Sequence, residues 1–152
     1  HAPERLERLV LCNTAPYFGP REVFEARIEA VRRDGLAGLV EGILERWFTP
    51  AFRAADPAVV ERVRAMLLAT PEEGYAACCA ALRDLDERGN LGRISVPTLV
   101  ITGSDDPSSP PAAGLALAAA IPGARCIELP AAHLSNLGAA TAFNAAVLGF
   151  LG

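Results

Sequence analysis

Residues Val96–Thr102 read VPTLVIT, a short uncharged run rich in β-branched residues, and the next residues are Gly103-Ser104-Asp105-Asp106-Pro107. A run this short and this apolar fits a strand covered on both faces, and the glycine and acidic-proline cluster ends it. The remainder alternates. Residues 113–121 have a helical composition, stopped by Pro122-Gly123. RCIEL (residues 125–129) is a second strand, PAAHLSN a loop, and Phe143, Val147, Leu148 and Leu151 mark a last helix. Strand, helix, strand, helix requires parallel strands joined by crossovers, which makes the chain an α/β protein.

An earlier strand is expected at Leu9–Cys12, closed by Asn13 and Thr14. Between it and VPTLVIT lies a long stretch with only helical periodicity. Val23, Ala26, Ile28 and Val31 form one stripe. Leu36, Leu39, Val40, Ile43, Leu44 and Trp47 form a second, weakened by Gly38 and Gly42 and broken at Thr49-Pro50. Asp56-Pro57 reads as an N-cap with proline at the first helical position, opening a stripe of Val59, Val60, Val63, Met66 and Leu67. Thr70-Pro71-Glu72-Glu73 reads as a capping box for a fourth helix ending near Leu85. The expected organisation is therefore a core strand in 1–19, a helical insertion over 20–90 and a C-terminal α/β part over 91–152.

The composition excludes several classes. With 14 Lys+Arg against 18 Asp+Glu the net charge is −4, and no basic stripe appears, so nucleic acid is not an expected partner. No apolar run reaches the roughly 18 residues of a membrane span. The start, HAPERLERL, is charged and has no signal-peptide core, and with no initiator methionine it suggests a piece of a longer chain. Cys12, Cys78, Cys79 and Cys126 form no C-x-x-C pair, and one internal histidine cannot complete a usual zinc set. Free thiols in packed positions are expected, in keeping with a reducing cytoplasm, and neither a metal nor an organic cofactor is expected.

In open parallel sheets the functional residues sit just past the carboxyl ends of strands. Two loops qualify: Gly103-Ser104-Asp105-Asp106 and Pro130-Ala131-Ala132-His133. Their strands are joined by a single helix and are expected to be neighbours, which would bring a carboxylate and the only internal imidazole to one edge. A carboxylate on one ring nitrogen fixes the tautomer and leaves the other nitrogen to take a proton from a nucleophile. An Asp-Asp-Pro loop also serves as a simple turn, and a lone histidine as a hydrogen-bonded structural residue. Spacing does not choose among these.

A strand ending in G-x-x-D, followed one βα unit later by a histidine, resembles the acid and base of the α/β-hydrolase fold, whose chain order is nucleophile, acid, histidine. The helical insertion resembles that fold's cap. The segments ERWFTPAF, TPEEGYAACCAALRDLD, VPTLVITGSDDPSSPP and LPAAHLSN together resemble 3-oxoadipate enol-lactonases. The resemblance implies Asp106 as the acid, with Asp105 the fallback, and His133 as the base. Two departures stand out. Gly138 replaces a glutamate common in the family, which leaves Ser135 or Asn136 to cap the last helix alone, and Ser109 replaces a threonine. Neither is expected to touch the acid or base. A third is larger: no G-x-S-x-G occurs. The expectation is the C-terminal half of an α/β-hydrolase fold, parallel strands with a helical cap insertion, beginning past the nucleophile helix.

The resemblance further implies a small lactone as substrate and the N-terminal half of the same enzyme as partner. A cap arginine (Arg46, Arg53 or Arg83) would meet the substrate carboxylate, and Trp47 would line the pocket. For each arginine a solvated helix face, and for Trp47 core packing, is the plainer reading of the residues. Alternatives are another α/β-hydrolase, either an esterase or a carbon–carbon bond hydrolase, and a non-catalytic half-fold acting as a binding or assembly module. The isolated chain is expected to be inactive, because it lacks the nucleophile, and to self-associate, rearrange or be poorly stable.

Overall fold

A computed structural model describes residues Pro3–Gly152 as two compact units. One contains the chain up to Pro16 together with Glu87–Gly152, and the other is Tyr17–Asp86.

The first unit is built on three parallel strands in the order β1 (Leu9–Cys12), β2 (Thr98–Gly103), β3 (Arg125–Leu129). All six residues of β2 are buried, as its uncharged sequence requires of a central strand covered on both faces. Its side chains alternate between two cores. Val100 packs with Leu91, Leu117 and Ile121, whereas Leu99 and Ile101 pack with Leu129 and Phe150. Helix α6 (Pro111–Ala120) supplies the first of these layers and α8 (Ala140–Leu151) the second. Helix α6 starts at Pro111, earlier than residue 113, because a proline at the first helical position gives up an N–H that has no partner anyway. Where the chain leaves this unit and returns, Glu87 N donates to Pro16 O at 2.9 Å.

The second unit is helical throughout: α1 (Arg21–Asp34), α2 (Val40–Trp47), α3 (Pro50–Ala55), α4 (Pro57–Leu68) and α5 (Glu72–Asp84). Helices α1 and α5 share a core of Phe24, Ile28, Val31, Leu36, Ala76 and Cys79. Asp56 caps α4 by accepting from Val59 N at 3.1 Å. Four expectations need correction. The stripe from Leu36 does not run unbroken, because Leu36–Gly38 is a 3₁₀ turn before α2 begins. Thr49-Pro50 ends α2 but also opens the extra helix α3, with Thr49 Oγ1 accepting from Phe52 N at 3.1 Å. The capping box at Thr70 does not form. Thr70 Oγ1 donates back to Met66 O at 3.0 Å, and Glu73 is taken by Arg32 at 2.9 Å. All four cysteines are free, yet Cys78 is exposed and not packed.

Among the described residues no helix is long and apolar enough to cross a membrane, and no cluster of three or more His, Cys, Asp or Glu could hold a metal ion.

Candidate active site

Three loops leave the carboxyl edge of the sheet, one after each strand. The turn after β2 is tight, with Asp106 N donating to Gly103 O at 3.2 Å. It carries Asp106 inward, where its residue is only 2% exposed. A buried carboxylate is costly unless its lone pairs are met. Here they are. Oδ1 accepts from Ser108 N at 2.8 Å and Ser109 N at 3.1 Å. Oδ2 accepts from Ser109 Oγ at 2.7 Å, Asn13 Nδ2 at 3.1 Å and His133 Nδ1 at 2.9 Å. Burial alone would raise the Asp106 pKa. The hydrogen bonds from His133 and Ser109, and the His133 charge, outweigh it and hold the carboxyl at about 2.

An ionised carboxylate can only accept, so Nδ1 of His133 carries the proton and Nε2 holds the lone pair of the neutral ring. Asp105 takes no part in this pair and instead accepts from Ser104 Oγ at 2.8 Å on the exposed side of the loop.

The loops that carry Asp106 and His133 are tied backbone to backbone. Ser104 N donates to Leu129 O at 2.8 Å and Asp105 N to Ala131 O at 3.0 Å. Ala131 and Ala132 are buried, and their small side chains suit a place where two main chains meet. Gly138 belongs to the same packing, since a Cβ there would lie 3.2 Å from Ala131 Cβ.

Three residues of this network are not among the candidates read from the sequence. Ser109 does touch the acid, contrary to expectation. Ser135 caps nothing: it opens the short helix α7 (Ser135–Gly138), and its Oγ donates to Asn13 Oδ1. Asn13 itself sits at the end of β1. The rule that singles out the loops after β2 and β3 applies equally to β1 and would have found it.

The remaining candidates lie in the helical unit. Arg46 lines a cavity of about 350 Å³ together with Arg27, Leu39, Ile43 and Tyr75. Burial, then the neighbouring Arg27 charge, pushes the Arg46 pKa down. Among the described residues neither Arg27 nor Arg46 has an ion pair. Arg83 forks onto Asp84 at 3.0 and 2.8 Å, and Arg53 lies 3.9 Å from Glu45. Trp47 is half-buried at the end of α2.

No family model matches the chain. Over 147 residues it is 40% identical to 3-oxoadipate enol-lactonase 2 of Acinetobacter baylyi, covering 97% of this chain and 55% of that protein. The enol-lactonase of Burkholderia xenovorans LB400 superposes with a TM-score of 0.95 at 42% identity, over 97% of this chain and 57% of that one. MGS-M2, an α/β hydrolase from a deep-sea metagenome, is only 21% identical but has a TM-score of 0.87 over 99% of this chain and 57% of its own. The chain thus has the fold of the C-terminal part of the α/β hydrolases, and it spans about half the length of the curated relatives it matches.

Proposed function

We propose that this chain, an α/β-hydrolase-fold protein similar to 3-oxoadipate enol-lactonases along nearly all its length, carries the acid and base of a serine-type hydrolase that opens 3-oxoadipate enol-lactone in the β-ketoadipate route of aromatic catabolism. The observation that carries the proposal is the 2.9 Å contact between an ionised Asp106 and His133 Nδ1, made by loops after adjacent parallel strands.

In this reading Nε2 of His133 takes the proton from a serine hydroxyl as its oxygen attacks the lactone carbonyl. Asp106 stabilises the resulting imidazolium without itself being protonated. Collapse of the tetrahedral adduct breaks the ring C–O bond, and His133 returns the proton to the departing enol oxygen. Water then attacks the acyl-enzyme, His133 again accepts a proton, and the carboxylic acid leaves as the serine regains its hydrogen. The 152 residues contain no G-x-S-x-G, so the serine and the oxyanion donors are assigned to the N-terminal part of the whole enzyme. The helical unit acts as the cap. Arg46 is the first choice for the substrate carboxylate and Arg83 the second, with Trp47 lining the pocket.

The test follows lactone loss with the chain alone, the whole enzyme and whole-enzyme His133→Ala, alongside a panel of simple esters and other lactones. The whole enzyme should prefer the enol-lactone. The chain alone should stay at background, since losing a serine nucleophile costs about 10⁶ in turnover. Normal activity in His133→Ala would overturn the assignment of the base. Preference for simple esters would make the protein an esterase on the same fold.

A further inference from the structure

Asn13 occupies an unusual position. It follows β1 with φ 47, the one non-glycine residue in the left-handed region among the described residues. Asparagine tolerates this conformation better than most residues, because its short amide can bond locally. Its backbone N–H still continues the sheet, donating to Ile101 O at 2.8 Å. The side chain is buried and spent in three directions. Nδ2 donates to Asp106 Oδ2 at 3.1 Å and to Ala132 O at 3.3 Å, and Oδ1 accepts from Ser135 Oγ.

The orientation of the amide follows from its partners. Turned over, its oxygen would face a carboxylate and a carbonyl, both acceptors only. As placed, one side chain joins all three loops of the sheet edge. It holds the acid through Oδ2, the oxygen that also receives His133 Nδ1. It holds the histidine's loop at Ala132 and Ser135, on either side of His133.

We propose that Asn13 is a positioning residue that sets the distance between Asp106 and His133, by bonding the acid directly and the base through the backbone and hydroxyl flanking it. The role in catalysis rests on the hydrolase reading above, but the positioning itself does not. The titratable groups it meets are Asp106 directly and His133 through it.

Labelled with ¹⁵N-histidine, the chain has a single internal imidazole to observe. The unsubstituted protein should show a slowly exchanging Nδ1–H proton. Asn13→Ala, folded by circular dichroism, should exchange that proton at least about tenfold faster, as the loss of a buried donor loosens the pair. Asn13→Asp keeps the shape and changes the donor. Near pH 5 the substituted carboxyl, its pKa raised by the carboxylate of Asp106, is protonated and can still donate, so the Nδ1–H signal should survive. Near pH 8 it is ionised against Asp106, and the signal should be lost. In the whole enzyme Asn13→Ala should lower kcat by roughly 10–100-fold with KM little changed, the usual cost of a misplaced catalytic group. An Asn13→Ala signal and exchange rate like the parent's would overturn the proposal, as would an Asn13→Asp spectrum matching the parent at both pH values. If Asn13→Ala does not fold, the Asn13→Asp comparison decides alone. Silent His133→Ala kinetics with altered Asn13 spectra would sink the hydrolase reading and leave the positioning role standing.

Discussion

Gly103 meets Ala131 main chain to main chain: a Cβ at Gly103 would overlap the carbonyl oxygens of both Ala131 and Ala132. This contact lies directly between the loop that carries Asp106 and the loop that carries His133. Backbone atoms cannot swing aside as a flexible side chain can, so Gly103→Ala must push the two loops apart. The expected loss of stability is roughly 1–3 kcal/mol, the usual range for overpacking. Urea denaturation should show it. The same substitution should weaken the Asp106–His133 contact, read as faster exchange of the His133 Nδ1 proton. A variant with parental stability and exchange would mean that the loops are not held by this approach.

The acid itself makes stability depend on pH. Its pKa is about 2 in the folded chain, against about 3.9 for an unfolded aspartate. A depressed folded pKa means a contribution fully present above the unfolded value and lost as pH falls through the folded one. The window is therefore about pH 4 down to pH 2, and the amount on the order of 2 kcal/mol. Asp106→Asn should be less stable near pH 7 and should show a shallower loss across that window. Equal slopes for the two proteins in denaturation at stepped pH would refute it.

Two arginines of the helical unit separate on structural grounds. Arg46 lines a cavity without an ion pair, while Arg83 forks onto Asp84, which also receives Arg21 at 2.6 Å. In the whole enzyme Arg46→Gln should raise KM for the enol-lactone about tenfold or more, as expected for one lost charge-assisted contact. Arg83→Gln should change it by less than about twofold, since an exposed pair contributes little. The reverse order in steady-state kinetics would move the carboxylate contact to Arg83.

The fold was legible where one residue pattern had one physical solution. The short, β-branched, uncharged run Thr98–Thr102, bounded by turn residues, fits a strand covered on both faces, and it is one. Asp56-Pro57 capped a helix because both residues act within their own turn. Thr70 and Glu73 failed as a cap because each had another partner, Met66 O and Arg32, and local pattern does not show that competition. The site divides in the same way. Asp106 and His133 follow strands that the sequence displays. Among the residues that fix them, Asn13 reaches Asp106 across 93 positions of chain and Ser135 across 122. No local spacing encodes such contacts, and only the sheet order brings them together.

The outer edge of the sheet is the last point of test. Among the described residues β1 pairs with β2 on one side only, as does β3. The two edges differ in protection. Strand β3 carries Arg125 and Glu128, both exposed, and such charges discourage a second strand from adding. Strand β1 is Leu-Val-Leu-Cys, half-buried and uncharged, and as an edge strand it turns its outward N–H and C=O groups, beside apolar side chains, to a second strand. In the proposed whole enzyme a strand of the N-terminal part would pair there. The isolated chain should therefore self-associate through β1, and sedimentation equilibrium should show weight-average mass rising with concentration. Placing a charge at the start of that edge, Leu9→Lys, should shift the equilibrium toward monomer, whereas Glu128→Lys on the already guarded β3 edge should leave it unchanged. A chain that stays monomeric and folded over the whole concentration range would show that the β1 edge is not a template for association.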